Sequence, residues 1–383
     1  MILFISLTAT SLVAWLAVLL LPSRAWSVRE QLEPRRDDND VVLASALDRI
    51  CVLIPARNEA TAIAGTLSAL AAQGTGLSVI VIDDQSEDET AARVRAAADQ
   101  FGSTLDVQLI DSQALPEGWG GKLWALEQGL AFADRDYCLL LDAEIRLAPG
   151  MLAALLHKAE SEQRAMVSIM AKLRCEGFWE KLLVPPFIFF FKLLYPFASV
   201  NRESRRAAAA AGGCILVRSD ALRAVGGFES IRDALIDDCT LAARVKRSGR
   251  SIWLGLSESV VSARSYTSLS DFRRMVTRTA FTQLFYSSLL LMLVVVLMLT
   301  MFVVPWLALM LPSQPAVFLT GLVAIVVMTT VYWPTVRYYR LPVIWTFTLT
   351  LAGLLFLVMT VESALNYWRG TRAEWKGRRY AAR

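Results

Sequence analysis

From Leu284 to Glu362 the chain carries only three charged side chains, Arg337, Arg340 and Glu362. So long a stretch with so little charge cannot form the surface of a water-soluble domain; its side chains must meet protein or lipid. It divides into three apolar runs, Leu284–Leu311, Ala316–Trp333 and Val343–Val361, separated by Pro312 and Pro315 and by a Pro334–Pro342 turn that holds both arginines. At the other end, Ile2–Leu21 has no charge at all. Each run is about as long as a helix that crosses ~30 Å of hydrocarbon. The composition agrees: 55% of residues are hydrophobic and 19% charged, with mean hydropathy +0.45, where soluble domains hold about 25% charged residues. Residues 1–23 are thus expected to be a transmembrane anchor and 284–362 a C-terminal membrane region.

Charge sets the orientation. No Lys or Arg precedes the first apolar run and no small-x-small site follows it, so a cleaved signal is disfavoured. Arg24, Arg29, Arg35 and Arg36 come directly after it, placing the following chain in the cytoplasm by the positive-inside bias. Three C-terminal crossings would then put the basic tail, 363–383, outside, against the same bias. A membrane protein with a cytoplasmic central domain is the expected setting. The net charge is only +4 and its excess lies beside the apolar runs, which disfavours a nucleic-acid partner. Five separated cysteines, no C-x-x-C and a single histidine, His157, disfavour a disulfide framework and a thiolate or imidazole zinc site. Any metal would be held by oxygen.

Leu182–Val200 is apolar and aromatic but has Lys192 near its middle and is interrupted by Pro185, Pro186 and Pro196. A charge at a helix centre costs about 2.5–3.5 kcal/mol on insertion scales, so an interfacial segment over 182–200 is expected rather than a span.

Between a linker over 24–47 and the C-terminal runs, residues 48–283 alternate strand and helix. Cys51–Ile54, Ser78–Ile82, Leu105–Ile110 and Tyr137–Leu141 read as strands buried on both faces. Ile63, Leu67 and Leu70 repeat at helical spacing; Ser86 with Glu89 predicts a capping box opening a helix to about Gln100, and Gly121–Ala133 predicts another. The pattern predicts an α/β fold, a mostly parallel sheet with helices on both faces, whose ligands bind beyond the strands' carboxyl ends. There stand Ala56-Arg57-Asn58-Glu59, Asp83-Asp84 and Asp142-Ala143-Glu144. Any one of these acids alone reads as a cap or loop carboxylate; three sets at matching strand ends point to a cation or a donor-rich ligand that offsets their repulsion. An oxygen-only set suits Mg²⁺ or Mn²⁺, which also take phosphate oxygens. Gly118-Trp119-Gly120-Gly121-Lys122 is followed by Leu123 and is not a P-loop. Lys122, at a helix start, is either a solvated lysine or a diphosphate contact. Asp237-Asp238 opens a helix ending near Gly249, where an acid is ordinarily a cap.

Taken together, Val52-Leu53-Ile54-Pro55-Ala56-Arg57-Asn58-Glu59, Val81-Ile82-Asp83-Asp84-Gln85-Ser86, Leu141-Asp142-Ala143-Glu144 and Gly226-Gly227-Phe228 through Asp237-Asp238 resemble a family 2 glycosyltransferase over roughly residues 48–280. Gly118–Leu126 and Arg274–Leu284 are similar to the hopene-associated subgroup. The resemblance implies a GT-A-like fold, a nucleotide-sugar donor, a divalent cation (Mg²⁺ or Mn²⁺) and inversion at the anomeric carbon. It implies Ala56, Arg57, Glu59 and Asp84 around the nucleoside, Lys122 and Asp142 at the diphosphate, Asp142 and Glu144 as metal ligands, and Asp238 as catalytic base. Glu144 stands where the family's motif usually has Asp. Of the processive members' Q-x-x-R-W only Arg278 is present, as a substrate-binding candidate, which argues against polysaccharide synthesis. The implied acceptor is a membrane lipid, a hopanoid among the candidates. Transfer to a polyprenyl phosphate or a ceramide-like lipid, or a non-catalytic nucleotide-sugar-binding scaffold, are the competing readings. A shared site for Asp142 and Asp238 further requires that 182–200 not cross the bilayer.

Overall fold

The computed structural model describes residues 2–34, 47–204, 206–370, 374–375 and 378–379. The 24–47 linker and the 363–383 tail are thus described only in part, and Arg35, Arg36, Arg372, Lys376 and Arg383 lie outside the described residues. The chain forms two compact units, one built on 30–174 and 199–264, the other on 1–29, 175–198 and 265–371.

The first unit holds eight strands: β1 (Ile50–Ala56), β2 (Leu77–Asp83), β3 (Leu105–Asp111), β4 (Tyr137–Leu141), β5 (Ile145–Leu147), β6 (Met166–Lys172), β7 (Cys214–Arg218) and β8 (Ile252–Ser262). They form one sheet in the order β3-β2-β1-β4-β7-β6-β8-β5. The run from β3 to β4 is parallel, as is β6 with β8, while β7 lies antiparallel to both β4 and β6. The fold is the expected GT-A-like α/β sheet with helices on both faces.

Alternation along the strands decides which helix each face receives. Ile50, Val52 and Ile54 share a core with Leu67, Val94 and Leu155, from the helices Ile63–Ala71, Thr90–Phe101 and Met151–Ser161. Leu53 and Ile82 face the helix Gly121–Leu130, which lies so close that a Cβ on Gly129 would come within 2.6 Å of the Ile82 side chain. That close seating positions Lys122, in the first turn of the same helix.

Two local expectations need correction. β3 is not buried on both faces: it ends the sheet, and of its residues only Leu105 is buried. Ser86 and Glu89 form no capping box; the helix begins at Thr90, Asp88 accepts from its backbone N–H at 3.0 Å, and the Ser86 hydroxyl instead accepts from Asn58 N–H at 2.9 Å. The loop after β1 takes the Ser86 hydroxyl in place of the helix.

The second unit is helical. Five helical stretches among the described residues are long and apolar enough to cross a membrane: Ile2–Leu20, Phe178–Val200, Ser288–Ala308, Pro315–Tyr338 and Val343–Trp368. The N-terminal helix is stitched into this unit, with Trp15 Nε1 donating to the Met301 carbonyl at 3.0 Å and its ring meeting Phe302 edge-on at 5.4 Å. Gly321 has only 2.5 Å to Ala308 Cβ for a Cβ of its own, so Pro315–Tyr338 packs against the helix before it at close range. Residues 175–198 and 265–283, expected within the α/β domain, belong to this helical unit. Pro185 and Pro186 do not break the helix: Phe178–Leu194 runs through both, which are buried, and ends before Pro196. Packing on all sides holds the helix where the prolines remove backbone donors. At its start the buried Glu180 carboxylate accepts from Glu176, Gly177 and Tyr266 N–H, each at 2.9 Å.

Candidate active site

Because β2, β1 and β4 are parallel neighbours, Asp83, Ala56 and Leu141 end at one edge of the sheet. The loops beyond are tied together by backbone. Asp84 N–H donates to the Ala56 carbonyl at 2.7 Å, and the Arg57 guanidinium donates to the carbonyls of Asp84 (2.5 Å) and Gln85 (2.9 Å). Asn58 adopts a left-handed conformation (φ 52°), tolerable for Asn because its side chain bonds locally; here its Oδ1 accepts from Glu87 N–H at 2.9 Å. Glu59 N–H donates to Thr90 Oγ1 at 2.7 Å, and Asp84 is fully buried. Ala56, Arg57, Glu59 and Asp84 therefore share one corner, with the Arg57 side chain shaping the β2 loop.

The second cluster joins residues far apart in sequence. Lys122 Nζ lies 2.7 Å from Asp142 Oδ1, just beyond β4, and 3.8 Å from Asp237 Oδ2, at the start of the helix Asp237–Arg247. It also donates to the Gly212 carbonyl at 3.4 Å, while Gly212 N–H donates to Asp238 Oδ2 at 2.8 Å. A Cβ on Gly212 would stand 3.2 Å from that carboxylate oxygen, so a glycine gives Asp238 its room. Lys122 and Asp238 thus meet through Gly212 at one crevice, also lined by Asp237, Phe228 and Ile231, and Asp142 joins them through its ion pair with Lys122. Asp237 is not the cap that its position suggests: no side-chain cap bond forms, and its carboxylate turns to Lys122.

The electrostatics are uneven. Burial, then the neighbouring Asp237 charge, pushes the Asp238 carboxyl up to about 6, against the backbone N–H groups and Lys122 that favour its ionised form. Burial alone would lower the Lys122 ammonium pKa, but the charges of Asp142 and Asp237 reverse this and raise it. Lys122 stays a cation, and Asp238 is poised to gain or lose a proton near neutrality.

Glu144 is held separately. Its backbone carbonyl accepts from Ala263 N–H at 2.9 Å, and its carboxylate lies 3.7 Å from Arg264 Nη1, just past β8. No group of three His, Cys, Asp or Glu able to hold a metal occurs among the described residues. A hard cation of the Mg²⁺ type takes one or two carboxylates and completes its shell with phosphate oxygens and water, and Asp142 and Glu144 are oxygen donors of that kind. Arg278 lies in the helical unit, on the amphipathic helix Leu269–Thr279.

Three participants were not legible beforehand. Gly212 follows a run of alanines, over 207–211, that carries no motif, and Arg264 has no motif at all. Glu127 Oε2 accepts from Phe228 N–H at 2.8 Å and Glu229 N–H at 3.2 Å, fixing the turn that leads toward Asp237-Asp238. Its one signal is its place on the same helix as Lys122.

Residues 51–226 match the family model described as glycosyl transferase family 2. The chain is 31% identical over 113 residues to the succinoglycan biosynthesis protein ExoU of Rhizobium meliloti (strain 1021), covering 30% of this chain and 31% of that protein. It is 30% identical over 122 residues to the 4,4'-diaponeurosporenoate glycosyltransferase of Staphylococcus haemolyticus (strain JCSC1435), covering 31% of each. The chain thus spans about a third of the length of these curated relatives. The mannosyltransferase PcManGT of Pyrobaculum calidifontis, solved with GDP-Man and Mn²⁺, aligns over 94% of this chain and 99% of its own, at 17% identity and a TM-score of 0.55. That likeness is one of fold.

Proposed function

We propose that this chain is a membrane-anchored family 2 glycosyltransferase that moves a sugar from a nucleotide-sugar donor to the hydroxyl of a membrane lipid, with inversion at the anomeric carbon. One observation carries the reading: Asp238, a carboxylate raised toward neutrality, stands beside the Lys122–Asp142 ion pair at the carboxyl edge of the sheet. An acceptor hydroxyl is a weak nucleophile until a base removes its proton, and Asp238, ionised above about pH 6, is that base. The departing diphosphate gathers negative charge, which the Lys122 ammonium stabilises. Ala56, Arg57, Glu59 and Asp84 form the corner for the nucleoside. Asp142 and Glu144 would hold a divalent cation, which when bound supplies further positive charge to the diphosphate. One-step displacement needs no covalent enzyme intermediate.

The lipid acceptor rests on five helices of membrane-crossing length in the same polypeptide as the site; a polycyclic alcohol of the hopanoid type is the acceptor we favour, with the central domain on the cytoplasmic face of the inner membrane. The test uses full-length protein in detergent, Mn²⁺, labelled GDP- and UDP-sugars and extracted membrane lipids. Labelled glycolipid is expected from the wild type. Asp238→Asn should lower turnover by ~10²–10⁴-fold, the usual contribution of a general base, with donor affinity within a few-fold of wild type. Donor binding without turnover on any lipid sinks the transferase reading in favour of a scaffold.

A further inference from the structure

The Lys122 ammonium lies against Asp142 Oδ1 at 2.7 Å, with the Asp237 carboxylate and the Gly212 carbonyl completing its surroundings at 3.8 and 3.4 Å. Only 17% of its side chain is exposed, against 35% for Asp142. A divalent cation on Asp142 would bind about 2.1 Å from a carboxylate oxygen, which brings it within a few ångströms of this ammonium. Two positive groups at one carboxylate repel each other at short range in a partly desolvated site. Glu144, the second motif acid, has its own counter-ion in Arg264 at 3.7 Å. Each motif carboxylate is therefore already matched by a basic side chain of the same chain.

We infer that Lys122 is the resident cation of the donor-free site: it holds Asp142 until a diphosphate arrives, so that divalent cation and donor bind as a cooperative pair. The diphosphate supplies the negative charge that lets ammonium and metal share the site, and Lys122 moves from Asp142 toward the phosphate oxygens. This rests on the donor and cation reading above and adds to it a coupling between the two. Cooperativity of this kind is reciprocal, so the nucleotide must tighten the metal by the factor by which the metal tightens the nucleotide.

Mn²⁺ binding to the full-length protein in detergent, read from the electron paramagnetic resonance of free Mn²⁺, tests this without turnover. With Mn²⁺ alone, Lys122→Met and Lys122→Gln should bind at least about tenfold more tightly than wild type, within the usual range of coupling. Lys122→Arg, which keeps the charge, should stay as weak as wild type. GDP or UDP should tighten Mn²⁺ on the wild type and do so much less on the two neutral variants, whose folding is checked by circular dichroism. Neutral variants that bind Mn²⁺ no more tightly than wild type, while Asp142→Asn abolishes binding, overturn the role of Lys122 and leave the cation reading standing. Absence of Mn²⁺ binding by every variant, even with nucleotide, overturns both.

Discussion

At the scale of single residues, the site is a contest between one ammonium and three carboxylates. Lys122 pairs closely with Asp142 and loosely with Asp237, leaving Asp238 with two backbone N–H groups, from Gly212 and its own neighbour Cys239, as its direct partners. Burial and the Asp237 charge therefore dominate its proton affinity and hold it near 6. A base works only when ionised, so kcat/KM should fall as pH drops through about 6 and level off above 7. Asp237→Asn removes one of the two raising influences, so the acid limb should move to lower pH while burial keeps it above the ordinary carboxylate range. An acid limb left in place by Asp237→Asn but abolished by Asp238→Asn would show that Asp237 does not set the base. Of this cluster the strand-end position of Asp142 was legible from the alternating pattern, and Asp238 only through the family resemblance. The Asp237–Lys122 contact was not, because an acid at a helix start looks the same in sequence whether it caps the helix or reaches across to a lysine more than a hundred residues away.

At the scale of elements, the helix Gly121–Leu130 acts as a strut. Gly129 seats it against Ile82, Lys122 reaches the acids from its first turn, and Glu127 grips the backbone of Phe228 and Glu229. The gripped turn needs left-handed residues at Gly226 (φ 87°) and Gly227 (φ 57°), and a Cβ on Gly227 would meet Glu127 Oε2 at 3.0 Å. Glu127→Ala leaves two N–H groups without their charged acceptor, a loss of about 1.5–3 kcal/mol for a hydrogen bond to a charged group. It should lower the melting temperature in detergent and slow transfer, whereas Glu127→Gln, which keeps an acceptor oxygen, should recover most of both. Equal loss in the two variants would mean that charge rather than the backbone grip matters. Periodicity revealed the first four strands because each is a short apolar or, in β3, alternating run between turn residues. It missed β5, β6 and β8: Ile145–Leu147 has only three residues, Met166–Lys172 follows a helix after only a short turn, and Ile252–Ser262 mixes Gly and Ser with its apolar residues, so none is marked off by composition.

At the scale of the whole molecule, sheet connectivity constrains the membrane topology. β6 precedes the helix Phe178–Leu194 and β7 follows it, yet the two strands pair directly, with Met166 opposite Val217 and Ser168 opposite Ile215. A bilayer cannot pass between hydrogen-bonded strands. In a membrane-embedded protein the segment Phe178–Val200, though long and apolar enough to span, is therefore expected to leave and return on one side. The buried Glu180 and Lys192 suit this, since each would otherwise stand inside a crossing helix. Cys175, the one cysteine that is not buried, flanks the segment on one side, and Glu203, with 75% of its side chain exposed, flanks it on the other. In sealed vesicles of defined orientation, Cys175 and a cysteine introduced as Glu203→Cys should react with a membrane-impermeant maleimide from the same face and be protected from the opposite one. Labelling from opposite faces would mean that Phe178–Val200 crosses the bilayer, and no single sheet could then join β6 to β7 in the membrane-bound protein.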